Sequence, residues 1–212
     1  MDLLEPDWNQ PRPTLQEALS ICSRIKLTHF EVQSEVVKRV LDCLCESHSN
    51  GGALLAATRV GPDEAFDWFA SRNRLLEFDI LPHLLRRKEV RESLPELMIP
   101  TTGDSLGQSV SCPISAAGGF KMESSFLFDG QLAQRLYMGG AYGQPRGDGK
   151  VSKELAIGFC DALFEQRFSE VHFFSSYDAW TPWFHQIAWD WTAILFDLRK
   201  RLLWILAVTD TD

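Results

Sequence analysis

The chain has 212 residues, 45% of them hydrophobic and 24% charged, an ordinary globular balance that excludes wholesale disorder. Its 29 acidic and 21 basic side chains leave a net charge of −8, spread over both halves. Few Lys/Arg clusters are available for a phosphate backbone to reward, so direct nucleic-acid binding is disfavoured and a basic protein surface is the complementary partner. The first residues, Met-Asp-Leu-Leu-Glu-Pro-Asp-Trp, do not read as a leader. The longest apolar run is far short of the roughly 20 residues that cross a bilayer, so no membrane partner is expected. Five cysteines (Cys22, Cys43, Cys45, Cys112, Cys160), an odd number, suit a reducing cytoplasm.

In chain order, Pro6, Pro11 and Pro13 mark an extended arm. Thr14 and Glu17 have capping-box spacing and open a helix carrying Leu15, Leu19, Cys22 and Ile25. Val32, Val36, Val40 and Leu44 repeat at helical spacing over 31–47, and Asn50-Gly51-Gly52 ends that helix. Residues 53–60 are short, apolar and bounded by glycine, the pattern of a strand. Pro62-Asp63-Glu64 looks like the first turn of a helix through about Leu75, and residues 77–92 read as helical again. The Pro, Gly, Ser and Thr of 95–119 mark a boundary between halves. Beyond it come a strand over 122–128, a helix over 130–138, a glycine-rich loop over 139–149, a helix capped by Ser152, and a strand over 170–175. Trp180, Trp183 and Phe184, spaced i, i+3, i+4, predict one side of a helical turn. The unbroken run Leu202-Leu203-Trp204-Ile205-Leu206-Ala207-Val208 predicts a buried strand paired with 189–196 in a terminal hairpin. The expectation is a mixed α+β fold: a mainly helical region, residues 1–110, packed on an α/β region, residues 111–212, whose sheet ends in a β-hairpin, the two forming one compact unit.

The strongest candidate site is the acid group Asp190, Asp197, Asp210 and Asp212. In a strand i and i+2 share a face, so Asp210 and Asp212 point the same way, and the hairpin brings Asp190 near Asp210. Clustered carboxylates suit Mg²⁺ or Ca²⁺, a basic partner, or plain backbone bonding. A metal-dependent hydrolase or nuclease on Asp190, Asp210 and Asp212 is the alternative reading. Other motifs fall away. A P-loop needs glycine where Gln144 stands, and Val151 rather than Ser or Thr follows Lys150. Cys43-x-Cys45 with His48 lacks a second ligand pair for zinc, and no Gly-x-Ser-x-Gly turn serves the histidines. No cofactor and no catalytic residue is expected.

The C-terminal half carries Phe128-x-Gly130-x-Leu132-Ala133-x3-Leu136-x2-Gly139-Gly140-Ala141-Tyr142, Trp180-x2-Trp183-Phe184, Ala188-Trp189-Asp190-x-Thr192, Phe196-Asp197, and Leu203-Trp204-x-Leu206-x-Val208-Thr209-Asp210-Thr211-Asp212. Together these resemble bacterial immunity proteins of polymorphic-toxin and type VI secretion systems, in particular the family called immunity protein 52. The resemblance covers residues 120–212. It implies a cytoplasmic non-enzyme that binds a cognate nuclease toxin, with Tyr142, Asp148, Asp178, Trp180 and Trp183 as the expected contacts because they fall on or beside loops. Trp189, Asp190, Trp204, Asp210 and Asp212 are expected to be signatures of the fold.

Overall fold

The computed structural model describes residues 3–100, 119–142 and 148–211. In chain order the elements are α1 (Leu15–Arg24), β1 (Leu27–Phe30), α2 (Glu35–Ser47), β2 (Gly52–Val60), α3 (Glu64–Ser71), α4 (Ile80–Leu85), α5 (Lys88–Ser93), β3 (Lys121–Glu123), α6 (Phe128–Met138), α7 (Gly149–Phe164), β4 (Val171–Ser176), β5 (Trp191–Asp197) and β6 (Leu202–Thr209). The fold is α+β. Among the described residues one six-stranded sheet runs β1-β2-β6-β5-β4-β3, antiparallel at every step. It draws strands from both sides of the 110/111 boundary: β2, from the helical half, pairs with β6 over Gly52↔Thr209 to Arg59↔Leu202.

Helices cover both faces. Leu203, Ile205 and Ala207 of β6, with Ile194 and Phe196 of β5, meet α1, α3, α4 and α5. Leu202, Trp204, Leu206 and Val208, with Trp191, Ala193 and Leu195, meet α2, α6 and α7. Period-2 alternation sends neighbouring side chains to opposite cores, so a strand buried on both faces must be apolar throughout, as the run at 202–208 is. Each buried Leu or Ile there contributes about 1.5–3 kcal/mol of transfer free energy.

Several boundaries differ from the sequence pattern. β1 has no alternation to betray it, and it is fixed by pairing with β2 through Leu27↔Val60 to Phe30↔Ala57. The helix expected through Leu75 ends at Ser71, followed by Asn73 at φ 59°. The helix expected over 77–92 is broken twice, by the left-handed pair Phe78 and Asp79 (φ 51° and 55°) and by extended Arg87. The strand expected over 122–128 stops at Glu123, because Phe128 starts α6 and is buried against Phe159, Phe173 and Trp191. Ser152 is not a cap: α7 begins a turn earlier, where the Asp148 carboxylate accepts the Lys150 amide at 2.8 Å, and Ser152 is buried within the helix.

Candidate interaction surface

Register places one end of the sheet at the finish of β4 and β6 and the start of β2, β3 and β5. The loops after α2, after α6, and between β4 and β5 converge there, held by two buried aspartates. Asp210 is fully buried, and its two oxygens take one amide each, from Asn50 at 2.9 Å and Ala141 at 2.7 Å. Gly140 donates to the Ser47 carbonyl at 3.1 Å, and the Asn50 side chain donates to the Thr211 carbonyl at 2.9 Å. A Cβ on Gly140 would lie 2.1 Å from the Asp210 Oδ2, so glycine is required by close approach.

Asp190, also fully buried, sits opposite Thr209 and accepts its hydroxyl at 2.5 Å. It also accepts the Ile187 amide at 3.1 Å and the His185 amide at 3.4 Å. Between those two amides Gln186 is left-handed at φ 60°, so the carboxylate pins a turn that a side-chain-bearing residue enters only at a cost. Asp197 lies at the opposite end of the hairpin, where it takes Arg167 in two bonds of 2.9 and 2.6 Å and the Lys200 amide at 2.9 Å.

The hairpin therefore does bring Asp190 and Asp210 to one end, but each spends its oxygens on protein donors rather than on a shared open site. Asp212 lies outside the described residues. Among the described residues no three His, Cys, Asp or Glu side chains converge as a metal would require. The Cys43, Cys45, His48 group separates as well. His48 Nδ1 lies 3.0 Å from both the Leu44 carbonyl and the Ser47 hydroxyl, and the Cys45 thiol turns to the Ala53 carbonyl at 3.6 Å. Burial pulls the His48 pKa down, partly offset by the bond to Leu44 and by nearby Asp210.

Of the expected contacts, Trp180 requires correction. It is 3% exposed, its indole N–H donates to the Thr192 hydroxyl at 2.7 Å, and its ring packs on Phe120 and Phe184. The segment that carries it is a series of turns, not a helix. Phe120, whose partnership with Trp180 only the fold reveals, is what draws the ring inward. Trp183 is half-buried, edge-on to Phe184. Tyr142, Asp148 and Asp178 are exposed at this end of the sheet, Tyr142 at 68%.

Sequence reasoning passed over Tyr177, Tyr137 and Met138, which are exposed at the same end by 53%, 37% and 52%. No sequence signal separates these from core aromatics; exposure does. Arg135 of α6 lies 3.8 Å above the Trp191 ring and 5.4 Å from the Tyr177 ring, coupling the surface tyrosine to the core through cation–π contact. The arrangement is a set of exposed tyrosines and aspartates close to backbone that Asp190 and Asp210 hold from below at His185, Ile187, Asn50 and Ala141. It offers large, low-entropy contact area with an acidic component, the chemistry of a protein interface.

No protein-family model, curated protein or solved structure matches the chain. Among the described residues no helix is long and apolar enough to cross a membrane.

Proposed function

We propose that the chain is an immunity protein: a cytoplasmic, non-enzymatic antidote that binds a cognate secreted nuclease and neutralises it, by covering its active cleft or blocking an assembly it needs. The reading rests on the resemblance of residues 120–212 to that family. The observation that carries it furthest is the group of exposed Tyr142, Tyr177, Asp148 and Asp178 at one end of the sheet, beside turns that Asp210 holds at Asn50 and Ala141 and Asp190 holds at His185 and Ile187. Pinned loops bind without a large ordering cost. The net charge of −8 favours fast capture of a basic nuclease surface, with association slowing as salt is raised.

The test is co-expression with the product of the neighbouring gene in a heterologous bacterium. A stable complex, restored growth and intact chromosomal DNA are expected. Tyr142→Ala should weaken the complex about tenfold, about 1.4 kcal/mol, with the unfolding transition unmoved, whereas Tyr177→Ala also loses the Arg135 contact and should lower stability slightly. Absence of both binding and rescue would overturn the assignment for that pair.

A further inference from the structure

The edge of β2 that faces away from β6 is only half covered. β1 stops at Phe30↔Ala57, whereas β6 continues along β2 to Gly52, so residues 52–56 have a strand on one side alone among the described residues. Antiparallel alternation fixes which backbone groups point to the open side. Val60 donates to Arg201, across β6, at 2.8 Å, and Gly61 donates to Lys26, across β1, at 2.8 Å. Ala53, Leu55 and Ala57 therefore present N–H and C=O away from β6. Ala57 meets Phe30, and the Ala53 carbonyl takes the Cys45 thiol. Leu55 is left with an amide and a carbonyl that no described residue satisfies.

Next to this edge lies a groove of about 670 Å³, with half-buried Phe30, Val32 and Leu55 in its wall. Glu31, Glu35 and Lys38 stand exposed at its rim, two acids to one base in a protein already at −8. An unpaired strand edge beside an apolar wall is the geometry of strand addition, in which main-chain bonds hold the guest and alternate side chains select it.

We propose that this groove binds an extended segment of another polypeptide, added beside β2 on the line that β1 vacates, with apolar residues alternating with basic ones. The guest's main chain pairs with the Leu55 N–H and C=O. Its apolar side chains meet Val32 and Phe30, and its basic side chains lie by Glu31 and Glu35. The groove is lined by residues of 29–41 and 55–57 and by none of the tyrosine-bearing loops, and the inference does not depend on the immunity assignment.

The experiment titrates the full chain into a fluorescently labelled acetyl-Lys-Val-Thr-Val-Lys-amide peptide. Two controls accompany it: the same peptide N-methylated at its middle amide and its valine amides, and a Glu-Val-Thr-Val-Glu version. Saturable binding is expected, at least tenfold weaker for both controls. Leu55→Pro removes the outward N–H together with the Leu55 side chain, leaving the β2–β6 bonds in place, and should abolish binding with the circular dichroism unchanged. Leu55→Ala, which trims the same wall but keeps the N–H, should retain binding. Should the proline variant misfold, Glu31→Lys with Glu35→Lys gives a second reading, a reversed preference for the Glu peptide. No saturation by about 1 mM, the limit of a meaningful peptide affinity, would overturn the proposal. Equal binding of the N-methylated peptide would overturn it too, because that result means apolar adsorption without strand pairing.

Discussion

Replacing Asp210 by Ala tests whether the C-terminal carboxylates frame the loops or await a ligand. The substitution removes two amide-to-carboxylate bonds, from Asn50 at 2.9 Å and Ala141 at 2.7 Å, at a fully buried site. Hydrogen bonds to a charged acceptor are worth about 1.5–3 kcal/mol each, and partial relaxation brings the expected loss to about 3–5 kcal/mol. For a chain of this size each kcal/mol lowers the melting temperature by about 2–4 °C, so a fall on the order of 10 °C is expected. Asp210→Asn keeps the shape but turns an NH₂ towards one of the two donors, and should cost at least about 2 kcal/mol. Gly140→Ala places its Cβ against the same carboxylate and should destabilise too. Its cost should shrink in the Asp210→Ala background, because both changes act through one contact. Thermal and urea unfolding followed by circular dichroism measure all four corners of that cycle. A loss below about 1 kcal/mol for Asp210→Ala would refute the framing role. So would a saturable rise in wild-type melting temperature with Mg²⁺ that the variant abolishes, which is the signature of a ligand site.

Other expectations follow from the same contacts. Trp180→Ala should cost about 3–5 kcal/mol in urea unfolding, as deletion of a buried indole does, whereas a surface contact residue would leave the transition within about 0.5 kcal/mol. Arg167→Ala leaves Asp197 buried with its principal cation gone and should cost about 3–5 kcal/mol, with the double substitution to apolar residues recovering part of it. Burial holds both His48 and His172 below the ordinary histidine value, so the unfolded chain binds protons that the folded chain refuses. Their contribution is therefore present above about pH 6.5 and is lost as pH falls from there towards the depressed folded values; His172→Gln should flatten that slope in melting temperature against pH. Gln186→Gly relieves a left-handed position and should leave stability within about 1 kcal/mol of wild type or slightly above it.

What was legible in the sequence divides along physical lines. α1 and most of α2 announced themselves because capping chemistry and 3.6-residue periodicity are local. The Thr14–Glu17 box forms as its spacing implies, while the helix expected from residue 31 begins only at Glu35, where Ser34, unread as a cap, accepts the Val37 amide and leaves Val32 outside. β6 was legible because an uninterrupted apolar run of seven residues, too short for a typical buried helix and preceded by the turn-forming 197–201, suits a strand buried on both faces. β1 was not, since four residues of a pairing edge carry no period of their own. The break at Phe78 and Asp79 was equally hidden, because Phe gives no signal of φ > 0, a lone Asp gives only a weak one, and the packing of Phe78 on Phe69 is tertiary. At the site, the end-to-end proximity of Asp190 and Asp210 could be read from hairpin register. The identity of their donors could not, since Asn50 and Ala141 come from loops distant in sequence. Trp180 shows the limit most directly: position beside a loop suggested exposure, and a ring contact with Phe120 decided otherwise.

The residues on which the proposed likeness to immunity proteins rests lie mostly in the frame. Phe128, Leu132 and Leu136 fill the core beneath α6, Gly140 admits Asp210, Trp180 bonds Thr192, and Asp190 holds the turn at Gln186. Of the motif residues so placed, Tyr142 stands out by its exposure, while Tyr177, Tyr137 and Met138 fall outside the motif. A resemblance borne by such residues speaks first for how the loops are fixed and only secondarily for what they grip. On the proposed immunity reading, partner choice rests on side chains free to vary without disturbing Asp190 or Asp210. Exchanging Tyr142 for other residues should therefore redirect or weaken binding at constant melting temperature, whereas exchanging Tyr177, which touches Arg135, should shift both slightly. Asp210→Ala should lower the melting temperature first, and reduce binding only through the loosened loop at Ala141 and Tyr142. If the surface exchanges instead cost several kcal/mol of stability, frame and contact surface are not separable, and the tyrosines belong to the fold rather than to a partner.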